Sequence, residues 1–92
     1  MKIKWLRKAL RNLEVAYEYI YADDPEAAKQ IIVRIRDTVA QLEQYPLMGR
    51  YGRVAGTREL IIVNTPYLVI YRVKEETVQI IRVLHTSRKY PQ

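Results

Sequence analysis

Near the end of this chain a histidine, an arginine, a lysine and a tyrosine fall close together: His85, Arg88, Lys89 and Tyr90. Their types suit phosphodiester chemistry without a metal. Attack by a ribose 2′-OH on the adjoining phosphate needs a base for that hydroxyl, cations for the phosphorane charge and an acid for the leaving oxygen. His85 can serve as base near neutral pH, Arg88 can clamp charge, and Tyr90 offers a face for stacking. Plainer readings stand beside these: a strand-terminal His85 hydrogen-bonded locally, and a Tyr90 that packs to fix the tail. Arg58 and Arg72 come from neighbouring strands. With Arg50, Arg53 and Lys89 they are candidate contacts to phosphate or to a target surface. Arg82, flanked by Ile81 and Val83, is expected to pair with a carboxylate or to lay its stem along apolar neighbours.

The composition removes several other kinds of site. The chain has no Cys and one His, which excludes disulfides and thiolate metal sites and leaves almost nothing for zinc. Gly49, Gly52 and Gly56 match no phosphate-binding glycine fingerprint, so neither a nucleotide nor another cofactor is expected. The longest apolar runs, Leu60 to Val63 and Tyr67 to Tyr71, fall far short of a membrane span. The start, Met1-Lys2-Ile3-Lys4, lacks the apolar core of a signal peptide. A cytoplasmic protein with no membrane contact is expected.

Length and charge narrow the class further. Ninety-two residues with a 49% hydrophobic fraction predict one folded domain over residues 1–92. The net charge of +6 is uneven: residues 1–49 hold eight Lys/Arg against seven Asp/Glu, residues 50–92 eight against three. The basic half favours a polyanionic or acidic partner, unless it is simply a solvated surface.

The elements that must hold these residues can be read from periodicity. Lys2 to Trp5 alternates polar and apolar residues, as a short strand does. Leu6, Leu10, Leu13, Tyr17 and Ile20 then recur at helical spacing. Asp24 is suited to cap a second helix, with Pro25 at its first position and Glu26 against the dipole. That helix carries Ala28, Ile31, Ile32, Ile35, Val39 and Leu42 inward and should stop near Tyr45, before Pro46. Pro46 to Thr57 holds every glycine and reads as a loop. Arg58–Val63, Tyr67–Val73 and Thr77–His85 read as three strands separated by Asn64-Thr65-Pro66 and Lys74-Glu75-Glu76. Short connections make them an antiparallel meander. The predicted fold is α+β, β-α-α-β-β-β, with a helix hairpin on a four-stranded, mainly antiparallel sheet. Leu10, Leu13, Tyr17, Ile35, Val39, Val69 and Ile80 are expected between helices and sheet.

This order of elements resembles the RelE/ParE toxins of bacterial type II toxin–antitoxin pairs. The segment Tyr45-Pro46-Leu47-Met48-Gly49-Arg50 is similar to the family's break after the second helix. Gly56-Thr57-Arg58-Glu59-Leu60 resembles its entry into the next strand, Tyr67 to Val73 its tyrosine/valine strand, and Val78 to His85 its last strand with a terminal histidine. The resemblance covers essentially the whole chain and implies a growth-arresting toxin neutralised by an acidic, partly disordered antitoxin. It implies one of two targets: one branch cleaves messenger RNA in the ribosomal A site, and another inhibits DNA gyrase without being a nuclease.

Departures from the nuclease pattern bear on that choice. RelE-type nucleases resemble one another in lysines along the first strand of the meander and an arginine after the tyrosine that opens the next. Here Glu59, Leu60 and Ile61 occupy that strand, and Leu68 follows Tyr67. Losing a cation at the phosphorane costs orders of magnitude in rate. YoeB-like enzymes also carry a histidine and tyrosine near the C-terminus, so His85, Arg88 and Tyr90 would be catalytic only in a nuclease. The strand patterns resemble ParE more closely, and gyrase inhibition is the expectation. Ribosome-dependent mRNA cleavage is the alternative, and a non-toxic antitoxin-binding module a third.

Overall fold

The computed structural model describes residues 1–87. Arg88, Lys89 and Tyr90 lie outside the described residues. Strand β1 (Lys2–Trp5) alternates between solvent and interior, as its polar–apolar order dictates. Helices α1 (Arg7–Asp23) and α2 (Pro25–Ala40) follow. Asp24 caps α2 as its sequence implies, its Oδ1 accepting from the Ala27 N–H at 3.1 Å, while Pro25 sits where no N–H is needed. A 3₁₀ turn over Gln41–Glu43 ends the helical layer ahead of Pro46.

Four further strands follow: β2 (Arg50–Tyr51), β3 (Arg58–Ile61), β4 (Tyr67–Lys74) and β5 (Thr77–His85). The sheet has five strands in the order β1-β5-β4-β3-β2, parallel between β1 and β5 and antiparallel elsewhere. The expected four-stranded count is therefore corrected by β2, whose residues had read as loop. Arg50 pairs with Glu59 and Tyr51 with Arg58. Two residues between Gly49 and Gly52 are too few to display an alternation, so periodicity cannot reveal this strand.

One core joins both layers. Ile35, Val39 and Leu42 of the helical layer pack with Leu60 of β3, Val69 and Tyr71 of β4, and Val78 and Ile80 of β5. The expected inward face of α1 needs correction. Leu10 is 51% and Tyr17 38% exposed, while Ala9 and Ala16 are buried, with Leu13 and Ile20 partly buried against the core. Small side chains let α1 approach its neighbours closely, so alanines mark the contact line. Leucine and tyrosine on the adjacent line outweigh alanine in any reading of hydrophobic periodicity.

One irregularity of β5 sets the position of His85. Ile70 pairs with Arg82 but Tyr71 pairs with Ile80, so Ile81 is an extra residue in the ladder. Past that bulge Val83 continues the core row of Val78 and Ile80, and His85 comes to lie opposite Tyr67. β1 covers β5 only from Thr77 to Ile80, and the Leu6 N–H then donates to the Ile80 carbonyl at 2.9 Å. Beyond that point α1 takes over. Asn12 Oδ1 accepts from the Val83 N–H at 3.1 Å and from Arg82 Nε at 3.0 Å. Arg82 thus meets an amide, where a carboxylate or a stem laid along apolar neighbours had been expected.

Candidate functional site

The candidate residues divide between two regions. The first is a cleft of about 510 Å³ between α1 and the end of β5, lined by Val15, Ala16, Tyr19, Tyr67, Val83 and His85 among others. Its walls are mostly apolar. His85 is half-buried there, its ring edge-on to Tyr67 with centroids 5.3 Å apart. Its Nδ1 accepts from the Ser87 N–H at 3.2 Å and lies 2.7 Å from Ser87 Oγ. A backbone N–H can only donate, so Nδ1 presents its lone pair to Ser87 and the neutral ring carries its proton on Nε2. In that arrangement neither nitrogen offers a free lone pair to a substrate hydroxyl.

The second region is the hairpin that enters the sheet through β2 and β3. Its side chains follow from the pairing register, which sets Arg50 beside Glu59 and Tyr51 beside Arg58. Glu59 is 4% exposed, and its Oε1 accepts from Arg50 Nε at 3.2 Å and Nη2 at 3.0 Å. Its Oε2 accepts from the Arg53 N–H at 3.4 Å. Arg58 stretches along the start of the hairpin, its Nη1 donating to the Gly49 carbonyl at 2.7 Å and the Leu47 carbonyl at 3.2 Å. Its guanidinium also lies over the Tyr51 ring, 4.6 Å from the centroid.

Tyr71 ties this hairpin to the core. Its hydroxyl donates to the Pro46 carbonyl at 2.8 Å and accepts from the Gly49 N–H at 2.9 Å. Burial raises the pKa of that phenol, and the Gly49 bond and the Arg58 charge offset this only in part. Gly49 is required by the approach itself, because a Cβ there would stand 2.7 Å from the Tyr71 ring. Sequence reasoning named neither Tyr71 nor Tyr51 as functional, and it took Glu59 only as a missing lysine. A carboxylate on a strand next to two arginines was the available signal.

The two regions are separate. Arg58 pairs with Tyr71, whereas His85 pairs with Tyr67 on the same strand. Four residues of strand at about 3.3 Å each put roughly 13 Å between those positions. Arg72 belongs to neither cluster, its Nε donating to Gln79 Oε1 at 2.6 Å across β4 and β5. The structure therefore groups Arg50, Arg53 and Arg58 but does not bring them to His85.

A helix hairpin over a five-stranded, mainly antiparallel sheet agrees with the fold that the resemblance to the RelE/ParE toxins implies. The chain belongs to the ParE family: the model of the "ParE toxin of type II toxin-antitoxin system, parDE" matches residues 3–90. It is a type II toxin of that superfamily, and its relatives carry names from both branches. The candidate toxin Y4kP of Sinorhizobium fredii is 41% identical over 91 residues, covering 99% of this chain and 94% of that protein. Toxin RelE2 of Caulobacter vibrioides is 33% identical over 87 residues, covering 95% and 97%. Among solved structures, a chain of the chromosomal ParDE TA system from P. aeruginosa matches with a TM-score of 0.86 at 32% identity, over 92% of this chain and 95% of that one. Among the described residues no helix is long and apolar enough to cross a membrane.

Proposed function

We propose that this toxin arrests growth in the cytoplasm by stoichiometric binding to DNA gyrase, without cutting RNA. The observation that carries the reading is Glu59. The nuclease branch needs cations along β3 to hold the phosphorane; here the one cation of that strand, Arg58, is bonded to the Leu47 and Gly49 carbonyls, and the next residue is a buried carboxylate paired with Arg50. His85 adds support, since Ser87 occupies its accepting nitrogen. Its distance from Arg50, Arg53 and Arg58 argues the same way, because among the described residues those arginines stand too far off to clamp charge for a base at His85.

The neutralising partner in this reading is an acidic antitoxin. The cleft between α1 and β5 suits an apolar segment of it, since Val15 and Tyr19 stand exposed along its wall. Titration of purified gyrase with the full chain tests the proposal. Supercoiling should stop near equimolar toxin, and His85→Ala should inhibit as well as wild type. Undiminished supercoiling at large toxin excess would exclude gyrase.

Ribosome-dependent mRNA cleavage is the second reading. The 33% identity to a toxin named RelE2 favours it, as does a histidine set beside two tyrosines in an open cleft. It would make His85, Arg88 and Tyr90 the catalytic set.

A further inference from the structure

We propose that the hairpin spanning residues 45–58 is the surface that grips the target, and that it does so against an acidic patch of a protein. The identity of that protein rests on the gyrase reading, but the assignment of the surface does not.

The first observation is exposed apolar area where solvent alone would not favour it. Leu47 is 63% and Tyr51 83% exposed, and Tyr45, Met48 and Val54 are exposed beside them in sequence. Isolated exposed apolar residues are ordinary, but five within ten residues on one hairpin are a local concentration of the kind that partners cover.

The second observation is rigidity. Tyr71 holds the Pro46 carbonyl and the Gly49 N–H, Glu59 holds Arg50 and the Arg53 N–H, and Arg58 holds the Leu47 and Gly49 carbonyls. The Gly52 N–H closes the hairpin by donating to the Thr57 carbonyl at 2.8 Å. These bonds hold the backbone so that Leu47 and Tyr51 stay presented to solvent. Much of the ordering entropy that binding would otherwise cost has thus been lost already on folding.

Chemistry then selects the partner. Residues 44–58 contain Arg50, Arg53 and Arg58 and no Asp or Glu, and the next residue, Glu59, is buried. A surface with one sign of charge meets its complement, so the partner is acidic. Tyrosine, arginine and methionine are the residues enriched at the centres of protein interfaces. Leu47, Met48 and Val54 have no π-face to stack on a base, which favours a protein over a nucleic acid.

The test compares Tyr51→Ala and Leu47→Asp with wild type, with Val33→Ser on α2 as an exposed control and thermal melting to confirm the fold. Each hairpin variant should need about thirtyfold more toxin to inhibit purified gyrase, and Tyr51→Phe should restore most of the loss. Val33→Ser should inhibit like wild type. Folded hairpin variants that still inhibit fully overturn the proposal. If wild type leaves gyrase untouched, the gyrase reading fails, and growth arrest on induction then decides about the surface. Loss of arrest in the folded variants keeps the hairpin as the gripping surface for another target, and unchanged arrest removes it. A mobility shift of single-stranded DNA by the toxin alone, abolished in Tyr51→Ala, would overturn the protein assignment in favour of nucleic acid.

Discussion

The cleft beside α1 and the hairpin at the β2 edge solve opposite problems. The cleft is assembled from residues far apart in sequence: Asn12 of α1 meets Val83 of β5, 71 residues away. It is mostly apolar, and its one imidazole is engaged by Ser87. The hairpin is built mainly within one short stretch, carries Arg50, Arg53 and Arg58, and is bolted to the core by Tyr71 and Glu59. Among the described residues no Lys, Arg, Asp or Glu lines the cleft, which suits a partner segment that buries apolar side chains. A rigid cationic hairpin suits a charged surface that must be found and held. Cleft and hairpin therefore have separate places on the same small sheet.

Cleft and hairpin can be weakened together only at the core they share. Ile35 is fully buried in the core cluster that also holds Ala16 and Val83 of the cleft wall and Leu60 and Tyr71 behind the hairpin, so Ile35→Ala should cost about 2–5 kcal/mol and loosen cleft and hairpin together. Chemical denaturation measures the loss, and amide exchange should rise in both regions. If only one loosened, the two would not share a foundation.

Tyr71→Phe acts on the hairpin alone. It leaves the buried Gly49 N–H without its partner, at a cost of roughly 1–3 kcal/mol, and amides from Gly49 to Gly52 should exchange faster than those around Val83. The same residue sets an alkaline limit. Its folded pKa lies above the ordinary value of 10.0, so its contribution is complete below that value and fades as pH rises through the folded pKa. Wild type should lose stability there more steeply than Tyr71→Phe; parallel pH profiles for the two proteins would contradict this.

Asn12→Ala is the matching change at the cleft. The Val83 N–H and Arg82 Nε lose one acceptor together, costing about 1–2 kcal/mol. Exchange should then quicken at Val83 and leave the hairpin protected. The smallest effect belongs to the turn between β4 and β5, away from both regions. Glu75 and Glu76 stand at φ 50° and 59°, where a side chain is strained, and Glu76→Gly should stabilise by about 0.5–1 kcal/mol. Gyrase inhibition should not change with it. A drop in melting midpoint would show that the glutamate makes a compensating contact.

These expectations also mark how far the sequence could be read. Asp24-Pro25 and the strand at Thr77–His85 were legible because capping and a turn-bounded run of β-forming residues are local properties. The contact line of α1 was not, because Ala9 and Ala16 serve by being small while Leu10 and Tyr17 carry the visible signal. β2 was too short to have a period. Glu59 could be seen as a departure from a nuclease, but its burial depends on a register across β2 and β3 that no local pattern encodes. His85 ends β5 and accepts a bond from Ser87. Of the proposed catalytic set, Arg88 and Tyr90 lie outside the described residues.

The most direct test of the central claim is made on programmed ribosomes. Purified toxin is added to ribosomes carrying a defined message with an open A site, and the 5′ ends are mapped. The message should stay intact at every codon while the same preparation blocks gyrase supercoiling. Codon-phased cuts within the A site, lost in His85→Ala with the fold preserved, would contradict the account and assign the chain to RNA cleavage.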